Sequence, residues 1–201
     1  MMELYTAGDC VKCHRIRFIL AEKVVNVKLI DVDETPGAGA DLAELNPYAE
    51  TPTLVDREIV LYGTWVVAEY VDERYPHPPL MPIDPLSRAR LRQISYRILR
   101  DWVLPAESMM KLSGAAQEKQ RKQIRESLVA SDDIFGIGTF LLNPELSLAD
   151  CLIAPFLWRL PRYGINIGRG SPKLLRYMER IFIRDSFRRS MMQAEREIRD
   201  K

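Results

Sequence analysis

Apolar positions change their spacing several times along this chain, and each change marks an element. Glu3–Thr6 reads as a short strand, followed by a turn at Ala7, Gly8 and Asp9. From Val11 to Val25, Ile16, Ile19, Leu20 and Val24 recur at helical spacing. Val27–Val32 is rich in β-branched residues and reads as a second strand. Thr35–Gly39 reads as loop and Asp41–Leu45 as a short helix. Thr53–Val55 and Glu58–Leu61 are short strands around an Asp56-Arg57 turn, and Thr64–Arg74 is a helix with Val67, Tyr70 and Val71 on one face. The order β-α-β-α-β-β-α is that of a small α/β sheet.

Beyond residue 86 only the helical period remains. Ser87 can cap a helix reaching about Leu112, with Leu91, Ile94, Ile98 and Trp102 as its apolar stripe and Pro105 as a kink. Gln117–Phe135 reads as a more polar helix, and 136–144 as loop. Ser147 and Asp150 form a capping-box pattern before the most apolar segment, Leu148–Leu160. Such a helix belongs in the core of an all-α bundle, and Cys151 within it reads as a packed small hydrophobe. Arg176, Arg180, Arg184 and Arg188 recur every four residues; Asp185-Ser186 can start a new helix and break that stripe.

Between the two patterns lies Tyr75-Pro76-His77-Pro78-Pro79-Leu80-Met81-Pro82, and five of the 13 prolines fall between Pro76 and Pro85. Missing N–H groups and fixed φ angles stop any helix or ladder there, so a stiff extended connector is expected. The domains expected are 1–75, a linker at 76–86, and a helical unit at 87–201. His77, one of only two histidines, reads as presented rather than packed.

Charge divides at the same place. Residues 1–75 hold 7 Lys/Arg against 14 Asp/Glu, and residues 76–201 hold 22 against 14, beneath an overall net charge of +1. The split suggests orientation toward charged partners. No apolar run reaches the roughly 18 residues a membrane span needs, and Met1–Thr6 lacks the features of a secretory signal. Three cysteines, two of them close together, argue against a disulfide scaffold and for a reducing, cytoplasmic location. No metal site and no base-reading motif is evident, so sequence-specific DNA binding is not expected.

The candidate chemistry sits at the first helix. Cys10-Val-Lys-Cys13 between a strand and a helix is a thioredoxin-like redox pattern. A thiolate at a helix N-terminus meets free N–H groups and the positive dipole end, which lowers its pKa. Cys10 would be the nucleophile and Cys13 the resolving thiol, with Lys12 and His14 adding positive potential. Thr51-Pro52 before the third strand is the position where such folds carry a cis peptide, offering the backbone of Thr51 to a peptide-like ligand.

Arg15-x-Arg17 with Leu20–Lys23, Leu45-Asn-Pro47, Thr51–Asp56 and Glu69–Arg74 together resemble the glutathione-transferase superfamily. That resemblance implies a thioredoxin-like N-terminal domain followed by a C-terminal helical bundle. It would place glutathione, if bound, at Thr51, Pro52 and Thr64. The superfamily usually puts Glu-Ser after the fourth strand for the γ-glutamyl end; here the pair is Gly63-Thr64. Tyr70–Pro82, Arg100-Asp-Trp102, Asp150-Cys151, Leu157–Pro161 and Arg184–Phe187 narrow the resemblance to the stringent starvation protein A family, a bacterial branch. It implies a cytoplasmic homodimer that associates with RNA polymerase holoenzyme and its housekeeping sigma factor under starvation, stationary phase and acid stress. The contact residues it implies are Pro76, His77, Pro78 and Pro79, with Tyr75 beside them. Cys10 and Cys13 depart from that branch, so a glutathione-dependent transferase or thiol reductase stands as the alternative.

Overall fold

β1 (Met2–Thr6) is the strand about which the first half is built. It pairs in parallel with β2 (Val27–Asp31), Leu4 opposite Leu29, and antiparallel with β3 (Thr53–Asp56), Leu4 opposite Leu54. β3 pairs antiparallel with β4 (Ile59–Tyr62), giving the order β2-β1-β3-β4. Strand alternation sends Tyr5 to one face, where Ile30, Ala38 and Leu42 close over it, and sends the fully buried Leu4 and Leu54 to the other. This computed structural model describes residues 1–199. By contact the chain forms two units. One is Met1–Pro79 together with the segment from Asp185 on, and the other is Leu80–Arg184.

The helices of the first unit are α1 (Val11–Glu22), α2 (Ala38–Leu45) and α3 (Thr64–Arg74). α1 packs along α3 and buries Ile16, Ile19 and Leu20 as the periodicity requires. Val24 departs from expectation. The helix ends at Lys23, and Val24 follows at φ +55° with its side chain 79% exposed. α2 starts three residues before the expected position, at Ala38, because Gly37 at φ +84° turns the chain into it.

The second unit opens with α4 (Pro85–Ile98). Its cap is Asp84 rather than Ser87: the Asp84 carboxylate accepts from the Ser87 amide at 2.8 Å. Pro85 takes the first helical position, where no N–H is needed. The expected kink at Pro105 is spread over a π turn, Leu99–Val103, before α5 (Leu104–Met109). One wider turn accommodates the missing N–H and the proline ring. α6 (Gly114–Ala130) gives way to a 3-10 turn at Asp132–Gly136, so the expected single helix 117–135 is two elements.

α7 (Leu148–Trp158) is the core of this unit, with Leu148–Leu157 all buried. Its capping box is formed, and Cys151 is fully buried and in no disulfide. Asp150 does more than cap. Its carboxylate accepts from the amides of Leu141 and Ser147 at 2.8 Å each, and from the hydroxyls of Ser147 at 2.8 Å and Tyr177 at 2.7 Å. Tyr177 comes from α8 (Pro172–Phe182), so one carboxylate ties a loop, a helix start and a second helix. Burial raises the Asp150 carboxyl above its usual range, and these donors oppose the rise.

The arginine stripe is broken, as Asp185-Ser186 allowed. α9 (Asp185–Ser190) is a separate helix and groups with the first unit. In the second unit Arg180 donates to the Thr139 carbonyl, and Arg184 lies 5.4 Å over the Phe140 ring. Segment 185–199 packs on α1 through Phe187, which sits 5.0 Å from the His14 ring and edge-on to Phe18 at 5.2 Å.

Candidate functional site

Cys10 is the N-cap of α1, in extended conformation, and its sulfur accepts the Cys13 amide at 3.1 Å. One helical turn brings Cys13 beneath it, with 5.2 Å between the Cα atoms, and the two sulfurs are paired in a disulfide. The pair is lopsided: Cys10 is half-buried and Cys13 fully buried. The Thr51 hydroxyl points at the Cys10 sulfur from 3.9 Å. Thr51-Pro52 is cis, and Pro52 is buried. Thr64 stands half-buried at the first position of α3. Among the described residues the hydrogen bonds of this cluster join Cys10 to Thr51, and none joins either to Thr64.

Gly63, the N-cap of α3, has φ +82°. The acid that the superfamily usually places there is absent, and Thr64 follows it with a hydroxyl and a backbone N–H.

From the sequence, His14 is expected to add positive potential at Cys10. Its ring is instead fully buried against the segment from Asp185 on. Nε2 lies 3.0 Å from the Ser190 hydroxyl, and Nδ1 lies 3.5 Å from Glu195 Oε1. Arg17 joins the group. It donates to the Ser190 carbonyl at 2.9 Å, to Glu195 at 2.6 Å and to the Thr6 hydroxyl. Glu195, itself fully buried, also takes the Met192 amide at 2.9 Å. α10 (Gln193–Arg196) is thereby fastened to the start of α1. His14 and Arg17 lie more than 170 residues from Ser190 and Glu195, and no local pattern could reveal that partnership. The sequence signal is faint: His14 sits one turn from Val11 and Phe18, away from the Ile16, Ile19 and Leu20 stripe.

The proline strip is irregular and outward-facing. Pro76, His77, Pro78 and Pro79 are exposed and Tyr75 is half-buried, while Leu80 and Met81 turn inward in the second unit. The His77-Pro78 bond is cis. The strip is fixed from below by a residue whose role the sequence does not reveal. Lys23, at the end of α1, is buried, pairs with the buried Asp72 of α3, and donates to the Pro78 carbonyl. Such a pair is costly to break from one side, by about 3–5 kcal/mol.

Comparison with known proteins agrees with this architecture. Residues 9–74 match the family described as glutathione S-transferase, N-terminal domain, and residues 97–185 match glutathione S-transferase, C-terminal domain. A delta-class glutathione transferase structure from Nilaparvata lugens has a TM-score of 0.85 at 18% identity, covering 98% of this chain and 96% of that one. At that identity the likeness shows the fold. The narrower assignment comes from sequence. The stringent starvation protein A homolog of Coxiella burnetii is 39% identical over 201 residues, spanning 100% of this chain and 96% of the relative. The Haemophilus influenzae homolog is 42% identical over 200 residues, spanning 96% and 92%. The chain belongs to the stringent starvation protein A family. It carries that family's sequence on a glutathione-transferase fold, with a bonded Cys10–Cys13 pair at the start of α1.

Proposed function

We propose that this stringent starvation protein A family member is a regulator that associates with RNA polymerase holoenzyme and its housekeeping sigma factor, as a cytoplasmic homodimer, in starvation, stationary phase and acid stress. Family membership supports the class of function. The observation that carries the contact surface is the exposed run Pro76–Pro79 mounted on the buried Lys23–Asp72 pair. Four consecutive exposed residues with few free torsions lose little entropy on docking. His77 adds a ring and a polar edge at the centre of the strip. Tyr75, half-buried at the end of α3, borders it.

The test is capture of RNA polymerase from stationary-phase lysate by tagged wild type and by the double variant His77→Ala/Pro79→Ala. Loss of polymerase from the variant, with an unchanged melting temperature, is expected. Full retention overturns the strip as contact surface. Size-exclusion chromatography checks the dimer, which would elute at twice the 23.2 kDa chain mass. An enzymatic reading through Cys10 has one favouring observation, the bonded pair, and the missing acid at Gly63 weighs against its glutathione-dependent form.

A further inference from the structure

Cys10 and Cys13 close a ring of four residues. A bridge that short restricts the unfolded chain by only roughly 2 kcal/mol, and the helix start already holds both residues in place. Its two ends also differ chemically. One sulfur belongs to a half-exposed residue and has two donors aimed at it, the Cys13 amide at 3.1 Å and the Thr51 hydroxyl at 3.9 Å; the other belongs to a fully buried residue. An attacking thiolate can reach only the first. A leaving thiolate is stabilised at the first by those donors and by the N-terminus of the 12-residue α1.

We propose that this pair is a thiol–disulfide exchange site that accepts electrons from a dithiol. The dithiol's thiolate attacks Cys10 Sγ. A bond forms between them, the Cys10–Cys13 bond breaks, and Cys13 leaves with the electron pair and takes up a proton. The second thiol of the substrate, once deprotonated, attacks the substrate sulfur in the mixed disulfide. Cys10 then leaves as a thiolate held by the Cys13 amide and Thr51. The substrate departs as a disulfide, and two electrons have passed to the protein. Because the donors favour the reduced form, the bonded form is an effective oxidant of dithiols. Thr51 acts as a positioning residue through the Cys10 sulfur. The site stands on this geometry alone, and its test contains no polymerase, so it fails or survives independently of the docking strip.

The test uses the full chain with Cys151→Ser, which removes the one cysteine outside the pair. The reduced protein is mixed with the aromatic disulfide 5,5′-dithiobis(2-nitrobenzoate). The intact pair should release about two equivalents of thionitrobenzoate and regain its bridge, because the second cysteine displaces the first adduct. With Cys13→Ser, release of about one equivalent and a stable adduct on Cys10 are expected; with Cys10→Ser, reaction should be at least about tenfold slower, since the remaining thiol is buried. Thr51→Val should move the pH profile of Cys10 reaction upward while circular dichroism stays unchanged. In the forward direction the bonded protein should consume about one equivalent of dithiothreitol. A stable adduct on the intact pair, equal rates for the two single variants, or no consumption of dithiothreitol overturns the proposal.

Discussion

Two residues show opposite relations between burial and strain. Val24 occupies a left-handed conformation at φ +55° with its side chain in solvent, so no packing offsets the steric cost of a β-branched residue there. Val24→Gly at this position just after α1 should stabilise the chain by about 1 kcal/mol, read by urea unfolding. No gain would mean that the turn is held by something other than its own backbone. Asp150 is the reverse case, a buried carboxylate satisfied by four donors. Asp150→Ala strands the Leu141 amide and the Tyr177 hydroxyl in the interior and should cost at least about 3 kcal/mol. Tyr177→Phe removes one of the four bonds and should cost about 1 kcal/mol. A larger effect from Tyr177→Phe than from Asp150→Ala would contradict the central place given to the carboxylate.

At the level of elements, the start of α4 carries a pH dependence with a definite sign. The Ser87 amide holds the Asp84 carboxyl below its usual range. A depressed pKa means that the stabilisation is fully present above the unfolded value of about 3.9 and is lost as pH falls through the lower folded value. Asp84→Asn keeps a capping side chain without a titrating group. The variant's stability should therefore change less than wild type's between pH 5 and pH 3, as followed by circular dichroism; an equal fall in both would place the acid sensitivity elsewhere. This helix also marks what could be read from the chain. β1, α7 and its capping box, and the proline strip were legible because their signals lie within a few residues. The α4 cap was misplaced by three residues because Pro85 looks like the end of a linker, yet also serves as a first helical residue. His14, Arg17 and Glu195 were illegible as a group, because their partnership exists only once the chain has returned from Asp185 onward. The anchoring role of Lys23 is illegible for the same reason: Asp72 and Pro78 meet it only in the fold.

Across the whole molecule, the charge imbalance survives regrouping by contact. The unit made of 1–79 and 185–201 carries −6, and 80–184 carries +7. Each unit thus faces partners with a field of its own sign, whatever surface makes the contact. The return of the chain to its first unit has a further consequence. Glu195→Ala removes the carboxylate that Arg17 and the Met192 amide share, and hydrogen exchange in 185–199 should rise sharply, with about 3 kcal/mol lost. Unchanged protection there would mean that Phe187 and the bonds to Ser190 suffice to hold the segment. Phe187 and Glu195 reach the ribosome exit after everything in the second unit. At roughly 5–20 residues per second, the 105 residues of Leu80–Arg184 take about 5–20 s to synthesise. During that interval the first unit exists without its closing piece, with the polar groups of His14 and Arg17 still open to water. The first domain to be made is therefore the last to be finished. A nick or frameshift near residue 185 would be felt at the beginning of the chain, in the helix that carries the cysteine pair.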